Sequence, residues 1–224
     1  MTSFRDSGKS VISQTYVTYH SGDAFGYILG HCTLIPIYLL AMYITLIITR
    51  RDFHTLFSFF GQILCLFANK ILKDMIDEPR PVDSELNDSG MPSNHSQFMM
   101  FFAVYYSFQL LFRTTSIRYL SLIERCLYAK LLLSMACLVC YSRVYLSNHT
   151  TEQVLVGIVV GAVIGIIWFL FDVLYGYRIG NFLCKNIPFV RWMGVCNFNP
   201  LEQYFQIRLQ QQGVVNEVGS AKTE

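Results

Sequence analysis

Charge is what this chain has least of. Of 224 residues, 17 are Lys or Arg and 15 are Asp or Glu, together 14% of the sequence, and the formal net charge is only +2. No basic field of the kind that binds nucleic acid can be built from that balance, and no nucleic-acid partner is expected. Seven cysteines without paired spacing do not describe a disulfide framework. Cys137 and Cys140 form a Cys-x-x-Cys, but inside an apolar helix, where two sulfurs three apart are expected to share a face and pack. There is no internal repeat, no extended low-complexity region, and no lipidation motif. The first apolar run lies too far from Met1, and is too long, for a cleaved leader, so it is expected to remain as a span.

Apolar residues are abundant. They make up 53% of the chain and its mean hydropathy is +0.39, too apolar for a domain with a wholly wet surface. About 20 such residues cross a ~30 Å hydrocarbon core as a helix. Five runs qualify as candidates: Tyr27–Thr49, Phe53–Leu72, Ser96–Phe112, Leu127–Leu146 and Gln153–Tyr175. Gln62 and Asn69 in the second, and the shortness of the third, suggest that these two face protein. The expected fold is all-α, a polytopic membrane helix bundle of about five spans, four to six being compatible with the pattern. Residues 1–200 are expected to form the membrane-embedded domain and residues 201–224 a polar tail. The mixed aromatic and basic stretch Asn181–Phe198 suits a helix lying at the interface.

Five spans put the loop Lys73–His95 and the turn Arg143–Glu152 on the same side as the N-terminus. That side holds six of the 17 Lys and Arg residues (Arg5, Lys9, Lys70, Lys73, Arg80 and Arg143) and the other side eleven. The positive-inside bias then turns the two segments away from the cytosol, toward a lumen or the exterior.

The scarce charges gather there. Lys73 and Arg80-Pro81 close the second run, Pro92-Ser93-Asn94-His95 opens the third, and Ser142-Arg143 with His149 and Gln153 joins the fourth to the fifth. Ionisable groups near a bilayer are costly and mark sites. Arginine offers a planar fork to phosphate oxygens and lysine a compact charge. Pro79 and Pro81 stop the helix and hold Arg80 extended. Ser93 is placed to cap the third helix, whose free N–H groups suit an anion. His149 and Gln153, four apart, stack on one helical face, so that Gln153 can orient one imidazole nitrogen and leave the other for a substrate. Each block alone also suits a plainer role: basic residues snorkelling at a span end, a capped turn, a surface histidine. Asp74, Asp77 and Glu78 are a weak magnesium signal with no second acidic cluster to complete it. Asn87, Asn94 and Asn148 head glycosylation triplets, of which only Asn87 stands clear of the clustered residues. Gly157, Gly161 and Gly165 read as a close helix-packing face.

Together the blocks resemble the type-2 phosphatidic acid phosphatase superfamily, whose pattern is Lys-x(6)-Arg-Pro, Pro-Ser-x-His and Ser-Arg-x(5)-His-x(3)-Asp. The chain matches it throughout except at Gln153, which replaces the Asp. Glu78-Pro-Arg-Pro81, Gly90-Met-Pro-Ser93, His95-Ser-Gln-Phe-Met99 and Tyr141-Ser-Arg-Val-Tyr-Leu146 resemble the dolichyl diphosphate phosphatase branch, which also tends to carry Gln there. The resemblance implies a nucleophilic His149 that forms a phosphohistidine, with Lys73, Arg80, Ser93 and Arg143 binding phosphate oxygens. His95 would serve as acid and then base, and no metal or other cofactor would be required. It implies a polyprenyl (dolichyl) diphosphate substrate drawn from the bilayer, a place in recycling the lipid carrier of N-glycosylation, and an endoplasmic reticulum membrane location with the site facing the lumen. Gln153→Asp is expected to keep substantial activity with an altered pH profile. Broader lipid phosphatase activity, on phosphatidate, sphingoid phosphates or short isoprenoid diphosphates, is the neighbouring alternative. A non-catalytic membrane scaffold is the alternative of another class.

Overall fold

Helix α1, Ala24–Cys32, begins where the Asp23 carboxylate accepts the Gly26 N–H at 2.9 Å. It does not run on as the first expected span does. Pro36 has no N–H to continue the ladder, and Thr33 instead donates its hydroxyl to the Gly30 carbonyl at 2.7 Å. The chain turns at Thr33–Leu34 and restarts as α2, Ile35–Arg50. Asp52 caps α3, Phe53–Ile76, which ends on Asp77 in the left-handed conformation (φ 45°), two residues before the first proline of the loop. Helix α4 is Asn94–Phe112, and α5, Leu122–Tyr145, opens on a reciprocal Ser121/Glu124 capping box. Helix α6, Thr151–Phe171, passes through a π-helical turn at Asp172–Gly176 into α7, Tyr177–Asn186. Ahead of the bundle, β1 (Lys9–Ile12) and β2 (Val17–His20) pair antiparallel.

The structure, a computed structural model, describes residues 9–12, 17–20, 22–82, 84, 88–113, 120–188, 190 and 194–195. The expected tail 201–224 and Asn87 lie outside them, as does part of the stretch Asn181–Phe198. In the described part of that stretch, residues 181–186 belong to α7.

Among the described residues three helical stretches are long and apolar enough to cross a membrane by length and composition: Ala24–Arg50, Phe53–Ile76 and Thr151–Asn186. The other two expected spans fall on α4 and α5, and their lower apolarity has a visible cause. Helix α4 is the hub of the bundle, with Met99, Phe101, Ala103 and Tyr105 essentially inaccessible, so its environment is protein. Helix α5 carries Glu124, Arg125 and Lys130 in its first turns.

Most described polar side chains inside the bundle find partners, as a segment without water favours. Tyr43, Ser58 and Tyr106 share hydroxyl hydrogen bonds of 2.9 and 2.7 Å. Asn69 donates to Gln97 at 2.8 Å and to the Pro92 carbonyl at 3.2 Å, tying α3 to the entry of α4. Gln62, wholly buried, donates to the Phe98 carbonyl at 3.3 Å, so both it and Asn69 face protein as expected. At the opposite end Asp172, wholly buried, receives Arg113 at 2.7 Å and the Tyr105 hydroxyl at 3.0 Å. This clamps the π-helical turn to α4. The glycine face is where α4 and α6 meet: a Cβ on Gly161 would lie 2.3 Å from the Gln97 carbonyl oxygen. The cysteine expectation is corrected, for Cys140 is buried while Cys137 is exposed. Residues three apart on a helix differ by about 60° in direction, enough to straddle the edge of a buried face.

Candidate active site

Four chain segments converge at one end of the bundle: the C-terminal turn of α3, the loop to α4, the first residues of α4, and the α5–α6 turn. The last of these is wound tightly. Ser147 is left-handed (φ 54°), and the N–H groups of Asn148 and His149 both donate to the Arg143 carbonyl, at 3.1 and 3.2 Å. The chain so doubles back and leaves His149 just ahead of α6, buried (2% exposed).

Both ring nitrogens of His149 are engaged. Nδ1 donates to the Gln153 Oε1 at 3.2 Å, and Nε2 accepts from Arg80 Nη1 at 3.0 Å. Arginine can only donate, so Nε2 carries the lone pair and Nδ1 the proton. Burial first, then the charges of Arg80 and Arg143, push the imidazole down to about 3, against a smaller upward pull from Gln153. His149 is neutral at physiological pH.

Gln153 is wholly buried and uses every hydrogen-bonding position it has. Its Oε1 takes the Thr150 N–H at 3.2 Å as well as His149, and its own N–H returns to the Thr150 hydroxyl, a capping box that starts α6. Its Nε2 donates to Glu78 Oε1 and to the Pro79 carbonyl, each at 2.9 Å. The latter two bonds are the ones that Gln153→Asp would give up. A carboxylate there has no N–H to give, and meets Glu78 and the Pro79 carbonyl with like charge.

Arg80 reaches His149 and the Asn148 carbonyl (3.0 Å) with Nη1, and forks onto the Asp88 carboxylate through Nε at 2.8 Å and Nη2 at 3.0 Å. Lys73 adds a bond to the same carboxylate at 2.8 Å. Asp88 thus sits between two cations as a phosphate oxygen pair would. Its partial burial favours the neutral acid, but the hydrogen bonds from Arg80 and Lys73 outweigh that and hold it well below the usual carboxylate range.

Arg143 is buried (5% exposed), and its Nε has no partner among the described residues. An orphaned buried donor is costly unless something arrives to use it. His95 is half-buried at the start of α4, within electrostatic reach of Arg143, His149, Arg80 and Lys73. Ser93 is buried beside it, its N–H on the Gln153 carbonyl at 3.0 Å. Its side chain does not cap α4 as expected; Ser93 Oγ takes the Ser96 hydroxyl at 3.2 Å instead.

All seven residues singled out in the sequence (Lys73, Arg80, Ser93, His95, Arg143, His149 and Gln153) therefore belong to one neighbourhood. Lys70, one turn before Lys73, stays exposed. Asp74 and Asp77 are exposed while Glu78 turns to Gln153, so the three acids do not converge on a cation. Among the described residues no group of three or more His, Cys, Asp or Glu is placed to hold a metal. Asp88 was not legible as a site residue, and Glu78 was marked only in a weak magnesium signal and in the Glu78-Pro-Arg-Pro81 stretch, not as a partner of Gln153.

A family model described as the PAP2 superfamily matches residues 54–176. The chain belongs to that superfamily. This PAP2 member is 40% identical over 168 residues to Dolichyldiphosphatase 1 of Homo sapiens, covering 71% of this chain and 70% of the relative. It is 37% identical over 163 residues to Dolichyldiphosphatase of Saccharomyces cerevisiae, covering 69% and 67%. It is 33% identical over 164 residues to Lipid phosphate phosphatase gamma of Arabidopsis thaliana, covering 70% and 71%. No solved structure matches. The PAP2 match begins in α3 and ends in the π-helical turn, and so contains every residue of the cationic cluster.

Proposed function

We propose that this chain is a membrane phosphatase that hydrolyses dolichyl diphosphate to dolichyl phosphate and inorganic phosphate. The observation that carries the reading is the state of His149: neutral, its Nδ1 proton held by Gln153, its Nε2 lone pair facing a cluster of cations. That is the arrangement of an oriented nucleophile. Nε2 attacks the terminal phosphorus and the bridging P–O bond breaks, its electron pair leaving with dolichyl phosphate. His95, carrying a proton once the substrate's negative charge is in the pocket, gives it to that oxygen. His95 then takes a proton from water, which attacks the phosphohistidine and breaks the N–P bond.

Lys73, Arg80 and Arg143, with Ser93, hold the transferring phosphoryl oxygens, where positioned charge supplies most of the catalysis of phosphoryl transfer. The unpartnered Arg143 Nε supports this, being a buried donor that a phosphate oxygen would satisfy. Since side chains supply the cations, activity is expected to persist in chelator. The names of the relatives support the diphosphate lipid as substrate, and the exposed apolar residues of the long helices support its delivery from the bilayer. The Lys and Arg distribution supports a site facing the lumen of the endoplasmic reticulum, where the product would return to the carrier pool of N-glycosylation. Residues 1–200 are the proposed membrane-embedded unit.

The deciding experiment measures phosphate release by the purified chain in detergent and chelator from dolichyl diphosphate, dolichyl phosphate and phosphatidate. A strong preference for the diphosphate, abolished in His149→Ala, is expected. Equal turnover of all three favours the broader lipid phosphatase to which the Arabidopsis relative points. No turnover by folded protein removes the enzymatic reading.

A further inference from the structure

An amide at position 153 brings no charge to a histidine that must become cationic as it bonds phosphorus. The charge is present one link further out. Glu78 Oε1 accepts the Gln153 N–H at 2.9 Å, and Gln153 Oε1 accepts the His149 Nδ1–H at 3.2 Å. The amide cannot turn over, because the Thr150 N–H and the Pro79 carbonyl occupy its remaining positions with the matching polarity. The loop is shaped for this contact. Gly90 donates its N–H to the Glu78 carbonyl at 2.7 Å, and a Cβ on Gly90 would fall 2.5 Å from Gln153 Nε2. Only glycine lets the amide lie against the loop while the Glu78 side chain meets it.

We infer that Glu78 is a positioning residue of the phosphoryl transfer, its carboxylate acting on His149 through the Gln153 amide. The inference rests on His149 being the nucleophile, as proposed above. An amide whose N–H is held by a carboxylate is polarised toward its oxygen, and chains of hydrogen bonds strengthen one another in a low-dielectric site. The Gln153 oxygen then holds the Nδ1 proton more firmly and stabilises the positive ring that forms when Nε2 becomes bonded to phosphorus. This is the service a directly bonded Asp performs for a catalytic histidine, relayed across one side chain. The charges around His149 make the distance useful. Arg80, Arg143 and Lys73 face the ring, with His95 nearby, and Asp88 is committed to Arg80 and Lys73. A carboxylate in direct contact with His149 would pull these cations from the incoming phosphate; one behind an amide does so less.

The test moves the charge without changing shape. Wild type, Glu78→Gln, Gln153→Glu and the double variant Glu78→Gln/Gln153→Glu are purified as full chains, checked by thermal melting, and assayed for kcat and KM against pH on dolichyl diphosphate. His149→Ala is carried as the control. Glu78→Gln keeps the hydrogen bond and loses the charge. A fall in kcat on the order of ten-fold is expected, the scale of outer-sphere partners, with KM little changed and the acid limb of kcat moved to lower pH. Gln153→Glu alone sets two carboxylates against each other and is impaired. The double variant brings the single charge next to His149, regains kcat over both single variants, and moves the acid limb to higher pH.

The inference is overturned if Glu78→Gln has the wild-type kcat and pH profile. It is equally overturned if folded Glu78→Gln loses activity that the double variant does not regain, because the charge is then not what acts. A wild type without turnover, or an active His149→Ala, is a different result: it removes the nucleophile reading itself.

Discussion

Arg80 ties Asp88 to Asn148 and His149, and its planar fork is what permits it. Two nitrogens hold a carboxylate edge while the third stays on His149 Nε2. Lysine can offer a charge but not this division of labour. Arg80→Lys is expected to cut kcat by about 10²–10³, the scale of losing one transition-state donor; a variant within a factor of three of wild type would show that charge alone suffices. The neutral state of His149 has its own consequence for stability. Unfolded, its imidazole titrates near 6.5, and folded it is pushed down to about 3. Between those values the unfolded chain binds a proton that the folded chain refuses. Its contribution is therefore complete above the upper value and is lost as pH falls toward the lower one. Melting temperatures in detergent at pH 7.5 and 5 should fall more for wild type than for His149→Asn; equal falls would place the acid sensitivity elsewhere.

At the scale of elements, α4 and α6 form the frame on which the chemistry is mounted. One carries Ser93 and His95 at its entry, the other begins at Thr150 beside His149, and the glycine face brings their backbones together. Gly161→Ala must push the Gln97 carbonyl, two residues beyond His95, or part the helices. A loss of about 1–3 kcal/mol is expected, as for overpacking generally, seen as a lower melting temperature with reduced kcat. Val163→Ala, on the exposed side of α6, is the control and should change little. This frame was legible in the sequence, because small residues every fourth place and titratable residues at span ends are local signals. The break at Thr33–Leu34 was missed although Pro36 marked it, since an unbroken apolar run hides a turn whose backbone groups are met locally. Asp88, and the contact that Glu78 makes with Gln153, were illegible for another reason. An acidic residue in a loop reads as solvated surface until the fold reveals which amide or cation it faces. Gln153 looked like a missing charge because its second partner lies 75 residues away.

Among the described residues the molecule keeps its polar pairs inside and turns many isoleucines and leucines outward, as a bilayer favours. Such a protein spends its life among phosphate headgroups, most of them the wrong ones. Asp88, lodged between Lys73 and Arg80, bears on that crowd. It makes the pocket its own first customer, so that an arriving anion must outbid a carboxylate tethered at the spot. A diester headgroup brings no more charge than it displaces and a monoester up to about one unit more, whereas a diphosphate brings a second phosphate to share among the cations. On the proposed function the tethered acid is expected to set an admission threshold counted in charge. It is also expected to help expel inorganic phosphate by returning to Lys73 and Arg80 after each turnover. Asp88→Asn should lower that threshold: inhibition by inorganic phosphate tightens, and the preference for diphosphate over monophosphate lipids narrows. Unchanged inhibition in that variant would mean the gate stands open at rest.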